Sequence, residues 1–215
     1  MAMFQEGRGL VTEAEPLGLL TEGAAGIAVI VLAVIALAGT ASGALASIVT
    51  IVVGVGLMVQ AFNSAAENSK VMAANAAPVT DLGGEVMVAG LSGITGIILG
   101  ILALVGINTP YLVPSALGVF GGALLLSGAI GLRPRAAQST ASGGQTQAVS
   151  YQGSAAASGM EILIGIAAIV LGILSLVFVG WWVLALVGFI AVGTALLMVS
   201  ATFSSTVMRL FTTTA

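Results

Sequence analysis

The chain reads as three long apolar stretches set between short polar ones. No Asp, Glu, Lys or Arg occurs between Gly23 and Ala66, between Val86 and Leu132, or between Ile162 and Met208, stretches of 44, 47 and 47 residues. One helix crosses a bilayer with ~20 apolar residues, so each stretch is too long for one crossing and fits two joined by a tight turn. The turns read as "AGTASG" at 38–43, "GINTP" at 106–110 and "VGWW" at 179–182. Gly, Asn and Pro punctuate the first two; the third is marked chiefly by the length of its charge-free stretch. The pattern predicts six helices, at 22–38, 42–64, 87–105, 111–132, 160–178 and 182–203. Helix 2 has good helix formers and no Gly or Pro between Met58 and Pro78, and helix 6 runs into "SSTVMRLF", so both are candidates to continue beyond the membrane.

The organisation that follows is an all-α membrane protein of three helical hairpins. An N-terminal segment (1–21) precedes hairpin 1 (22–66), a linker (67–85), hairpin 2 (86–132), a low-complexity linker (133–159), hairpin 3 (160–208) and a tail (209–215). The hairpins resemble one another in sequence. Aligning Gly26, Gly93 and Gly165 brings together Ile27/Ile94/Ile166, Ile30/Ile97/Ile169, Leu32/Leu99/Leu171 and Leu37/Leu104/Leu176, at offsets of 67 and 72 residues. Ala33, Gly100 and Gly172 fall seven after the glycines, and Ala36, Ala103 and Ser175 ten after. In the second helices Gly56, Gly122 and Gly193 give offsets of 66 and 71. Positions i, i+7 and i+10 share a helix face, and small side chains there let backbones approach closely, which is how helices pack in lipid. Gly96/Gly100 and Gly118/Gly122 are GxxxG pairs of the same kind. These faces serve either packing within one chain or contact between copies.

Composition confirms the solvent and narrows the chemistry. The chain has 215 residues, 59% hydrophobic and 6% charged, with a mean hydropathy of +1.19. A soluble domain is about 25% charged, so this surface is made for lipid. Cysteine and histidine are absent. Thiolate sites, a cysteine nucleophile and a Ser-His-Asp triad are therefore excluded, and no clustered metal ligands or phosphate-binding loop is legible. The expectation is a non-enzyme with no metal and no cofactor. Five basic residues and a net charge of −3 leave no nucleic-acid surface. The apolar stretches hold only mild polar groups such as Ser47, Thr50, Thr95, Ser127, Ser175, Thr194 and Ser200. Hydroxyls of this kind bond their own helix backbone. A carboxylate proton relay is disfavoured, while a passive pathway for a neutral solute stays open.

With six crossings, all five basic residues (Arg8, Lys70, Arg133, Arg135 and Arg209) lie on one side with both termini. The positive-inside rule makes that side cytoplasmic, in a multi-pass protein of the inner membrane. The N-terminus lacks a basic, cleavable signal, so the first span is expected to act as its own signal. Tyr111, Trp181 and Trp182 fall near two far-side turns, as an interfacial belt does. Glu22 and Glu161 stand four residues before the aligned glycines and Glu85 eight before its own. They read either as acids at helix N-termini or as a cation or proton site. The Ser/Ala/Gly/Gln-rich run 133–159 reads as a flexible linker, pinned by a partner if ordered.

"GITGIILGILALVGI" with "ALGVFGGALLLSGAIGL" over 93–132, repeated as "GIAAIVLGILSL" at 165–176 and more faintly over 26–62, resembles the HdeD-like family of small bacterial membrane proteins. The resemblance covers the hairpins and not the linkers. It implies six helices in repeated hairpins and an association with acid resistance, and brings no catalytic residue. The function expected is a structural scaffold, whether homo-oligomer or accessory subunit of a larger membrane complex, with lipids and membrane-protein subunits as partners. A channel or carrier for a small neutral solute or weak acid is the first alternative, and an acid-stress role implied by the resemblance is the second.

Overall fold

The computed structural model describes residues 23–39, 42–75, 83–138, 148–178 and 181–212. Described residues outside short turns are all helical. The elements are α1 (Gly23–Leu37), α2 (Ser42–Asn75), α3 (Gly83–Leu104), α4 (Thr109–Gln138), α5 (Ala148–Val177) and α6 (Trp181–Thr212). Four apolar segments within them, Gly43–Ala66, Val86–Leu104, Thr109–Ile130 and Ser158–Val177, are long enough to cross a membrane, and Gly23–Leu37 and Trp182–Met198 are shorter apolar helices.

The first two turns are built as the sequence reads. Gly106 takes φ +90° after α3, its N–H donates to the Ala103 carbonyl, and the Ile107 N–H donates to Leu102. This is a complete Schellman closure, with glycine where a Cβ would be strained. The Thr109 hydroxyl adds a third bond, also to Ala103. Asn108, at φ +45°, offers its carbonyl to the Tyr111 and Leu112 N–H groups and so starts α4. Pro110 sits within the first turn of α4, where no N–H partner exists within the helix. Gly39 repeats the closure after α1, again at φ +90° and bonded to Ala36. In the third turn only residues 179 and 180 lie outside the described set, and the last helical bond there joins the Phe178 N–H to Leu174.

Four helices run beyond their predicted spans. The continuation of α2 to Asn75 and of α6 to Thr212 extends the expected tendency. The low-complexity run departs from expectation: α4 continues to Gln138 and α5 begins at Ala148, leaving 139–147 outside the described residues. Alanine and glutamine are good helix formers, and a helix already nucleated by packed turns propagates at little cost. Composition suited to a linker therefore does not prevent helix when both flanks are anchored.

The helices form an inner and an outer layer. α2 and α4 bury more than half of their apolar spans, α3 and α5 a third or less. α2, α4 and α6 touch one another, and their inward side chains make one core with Leu57, Leu117, Phe120, Leu124, Leu186, Phe189 and Leu196 all nearly or fully buried. Phe120 and Phe189 meet edge to face with ring centroids 6.3 Å apart, a favoured aromatic geometry. Contacts at matched depth make these three helices parallel. The Trp182 ring lies over Gly43 near the start of both helices, and Leu196 lies against Gly56 further along. The outward faces of α1, α3 and α5 carry Ile27, Val31, Val34, Ile94, Ile98, Ile101, Ile166, Val170 and Ile173, all exposed.

Replacing Gly106 with alanine puts a Cβ into the left-handed region at a cost of roughly 1–2 kcal/mol. The expected outcome is a lower unfolding midpoint in mild detergent, followed by circular dichroism, with the helical content of the folded state unchanged.

Candidate functional site

Three helix seams dominate the structure, and glycine makes each one. A Cβ on Gly54 of α2 would stand 2.8 Å from the Gly93 carbonyl oxygen of α3, and one on Gly93 would stand 2.7 Å from the Gly54 oxygen. Gly121 of α4 and Gly165 of α5 face each other with the same reciprocity, at 2.7 Å both ways. Gly26 of α1 and Gly193 of α6 repeat it at 2.9 and 3.2 Å. Backbone thus lies on backbone, and no side chain larger than hydrogen fits between. Dispersion and weak Cα–H···O contacts replace the hydrophobic drive that lipid cannot supply.

Each seam runs antiparallel and extends in both directions from its glycine pair. Gly100 lies against the Ser47 carbonyl and Ile51, and Gly172 against the Pro114 carbonyl and Gly118. Towards the other end, Gly23 meets Ser200, Gly90 meets Ala61, and Gly128 meets Ser158 and Ile162. The third of these exchanges sizes: isoleucine stands on α5 where α1 and α3 have glycine, and the facing residue on α4 is glycine.

Most of the predicted packing residues lie on these seams or just inside them. Gly26, Gly93, Gly165 and Gly193 form reciprocal pairs, Gly100 and Gly172 extend them, and Gly96 is covered by the Phe120 ring. Ala33, Ala103 and Ser175 are buried. The second-helix alignment needs correction. Gly54 and Gly121 are the pairing residues, whereas Gly56 packs on Leu196 and Ala25, and a Cβ on Gly122 would meet nothing within 4 Å. Gly118 touches α5 only through its own backbone, beneath Gly172. The corrected second-helix glycines, 54, 121 and 193, are offset by 67 and 72 residues, the offsets of the first-helix glycines. That equality was the signal available in the sequence, obscured because Gly54 has Gly56 near it and Gly121 has Gly122 beside it.

The acids do not assemble. Glu22 lies outside the described residues, and Glu85 is the third residue of α3. Glu161 lies well inside α5, which begins at Ala148, so it occupies no helix N-terminus; the dipole acts only over the first turn. It sits half-buried beside the seam, its Cβ facing the Gly128 position. Among the described residues no three His, Cys, Asp or Glu side chains stand together. Tyr111 is exposed, while Trp182 is half-buried and packs on the core, its ring over Gly43. Trp181 begins α6.

The hydroxyls mostly satisfy themselves. Ser47, Thr50, Ser92, Thr95, Ser175, Thr194 and Ser200 each donate to a carbonyl three or four residues back in their own helix. No family model, curated protein or solved structure matches the chain.

Gly121 and its neighbour Gly122 give opposite predictions. Gly121→Ala drives a Cβ into the Gly165 backbone and is expected to cost about 1–3 kcal/mol, the usual range for overpacking. Gly122→Ala adds a methyl in open space and gains about 0.5–1 kcal/mol of helix propensity. Denaturant titration in mixed micelles reads both; equal effects of the two substitutions would contradict the seam.

Proposed function

We propose that this chain is a non-enzymatic integral membrane protein of six crossings, built as three repeated hairpins closed into a ring, with linkers and both termini on the cytoplasmic side of the inner membrane. Its work is structural: a scaffold that associates with further copies or with other membrane subunits. The repeat is supported by one register running through both helices of each hairpin. Shifts of 67 and 72 residues relate the seam glycines 26, 93 and 165 and equally 54, 121 and 193. The same shifts relate Leu57, Leu124 and Leu196, all buried, and Ile27, Ile94 and Ile166, all exposed. The ring is supported by the α1–α6 seam, which joins the two ends of the helical array through the same glycine contact as the seams between neighbours.

The observation that carries the structural reading is the filled interior. Phe120, Phe189 and the three leucines occupy the centre of the inner helices, and Glu161 is the only charged group among the described side chains. A path along this axis would need to displace fully buried aromatic rings. The outer faces offer only apolar contact, suited to lipid and to other membrane helices. The six seam glycines are spent within the chain, so association between copies has to use the exposed Ile, Val and Leu surfaces.

Native mass measurement in mild detergent tests the scaffold. A discrete oligomer or a co-purifying membrane subunit is expected; a clean monomer at high concentration, together with flux of a neutral solute in reconstituted vesicles, would replace this reading with the carrier. The topology has its own test. Because the chain has no cysteine, single cysteines beside Arg133 and Arg209 are clean reporters, and both are expected to react from the same side of sealed vesicles.

A further inference from the structure

The core of the inner helices ends differently at its two mouths. Where α2, α4 and α6 begin, the Trp182 ring lies over Gly43 and Ala46, Val113 and Ala185 are fully buried behind it. Towards the other end the last apolar layer is Leu57, Leu124 and Leu196. One turn beyond that layer, two of the three helices place polar side chains: Gln60 on α2 and Ser127 on α4. Each stands three residues after its leucine and seven after a fully buried residue, Val53 or Phe120. That spacing keeps both on the inward face. Both are more than nine-tenths buried, with relative exposures of 7% and 5%.

Neither is satisfied. Four other buried hydroxyls, on Ser47, Thr50, Ser92 and Ser175, donate to their own helix backbone. Among the described residues Ser127 makes no such bond, and Gln60 makes no side-chain hydrogen bond. One further turn along α2, the Asn63 side-chain nitrogen is buried with no hydrogen-bond partner. Buried polar groups are normally paired, and an unpaired cluster signals an absent guest. Three such groups at one mouth, above a floor of leucines, make a recess with donors and acceptors to spare and no charged side chain on the adjoining described turns.

We propose that Gln60, Asn63 and Ser127 form a hydrogen-bonding cup that takes a small uncharged carboxamide, of the urea or primary-amide class, from the aqueous phase at the linker end. An ion would lose hydration there without an opposite charge in return. Two carboxamides and a hydroxyl present N–H, C=O and O–H groups together, and a planar amide returns both a donor and an acceptor to them. The leucine layer bounds the depth and makes this a binding cup rather than a pathway.

The test uses the full chain with one reporter, Ser127→Cys, close in size to the native residue. Alkylation by N-ethylmaleimide is followed with acetamide as the probe. The expected result is a reactive thiol whose alkylation slows about tenfold at ten times the half-saturating acetamide concentration. Adding Gln60→Leu is expected to abolish that protection while alkylation continues. Ser115→Cys, at an exposed site on α4 near its start, reports any general effect of acetamide and is expected to show none. A thiol that reacts but is not protected means a water-filled recess and overturns the proposal. A thiol that reacts only after unfolding means a sealed mouth and overturns it too. Equal protection by glycerol overturns the carboxamide assignment.

Discussion

The direct approach of helix backbones at six glycines is the constraint from which the rest of the arrangement follows. In lipid, apolar side chains gain nothing by leaving one hydrocarbon surface for another, so helix association depends on closeness of contact. Gly54 with Gly93, Gly121 with Gly165 and Gly193 with Gly26 provide that closeness. Each seam fixes which face of an outer helix turns inward. The opposite face is then committed to the surface, which is why Ile94 and Ile98 on α3, or Ile166 and Val170 on α5, are exposed despite their apolarity. Each inner helix, held from outside by one seam, presents its remaining face to the other two, and there the large side chains, Phe120, Phe189 and the leucines, fill the volume. Glycine outside and aromatic inside are thus two parts of one packing solution.

The seams differ in what they require of the chain. Gly54 and Gly93 are separated by 39 residues and Gly121 and Gly165 by 44, whereas Gly26 and Gly193 are 167 apart. Loop-closure entropy rises with separation, though slowly, so the two local seams carry the smaller ordering cost and the closing seam the larger. An open array would leave the glycine faces of α1 and α6 against lipid, with shallow grooves that acyl chains fill poorly. Closing the array pairs those two faces with each other. The wider glycine distances of this seam, 2.9 and 3.2 Å against 2.7–2.8 Å in the others, are consistent with a contact made between chain ends rather than across a linker.

Much of this was legible from the residues. Helix number and the first two turns follow from charge-free lengths and from Gly39, Gly106 and Asn108, because a positive φ leaves a clear compositional mark. The first-helix seam residues were legible because three glycines recur with isoleucine beside each. The second-helix partners were not, since adjacent candidates such as Gly121 and Gly122 are equivalent in composition and differ only in which side of the helix they occupy, about 100° apart. Helix at 148–159 was hidden for another reason: a Ser/Ala/Gly/Gln run has the composition of a linker, and its conformation depends on the anchored helix that follows it. Glu161 was misplaced as a helix-start acid by the same displacement of the α5 boundary. Ser127 illustrates the sharpest limit. In sequence it is one hydroxyl among seven, and only its unmet hydrogen bond distinguishes it.

The two mouths of the inner bundle bear on how a scaffold of this kind could be more than inert. At the turn end the small residues Ala46 and Ala185 leave room for the Trp182 ring to pack over Gly43, which fixes α2 against α6 through a large rigid contact. At the linker end the same helices carry Gln60, Asn63 and Ser127, whose hydrogen bonds are not made within the protein. Unsatisfied polar groups oppose tight closure, so the linker end is held less firmly than the turn end by the same helices. A guest that completes those bonds would draw α2 and α4 together there, and only there, because the leucine layer isolates the recess from the aromatic core. Since α2 and α4 each share a seam with an outer helix, through Gly54 and Gly121, such a tightening would reach the exposed faces of α3 and α5 through backbone contacts that leave little slack. In a packed bundle with no charge in its core, this is the shortest physical route from an aqueous ligand to a lipid-facing surface.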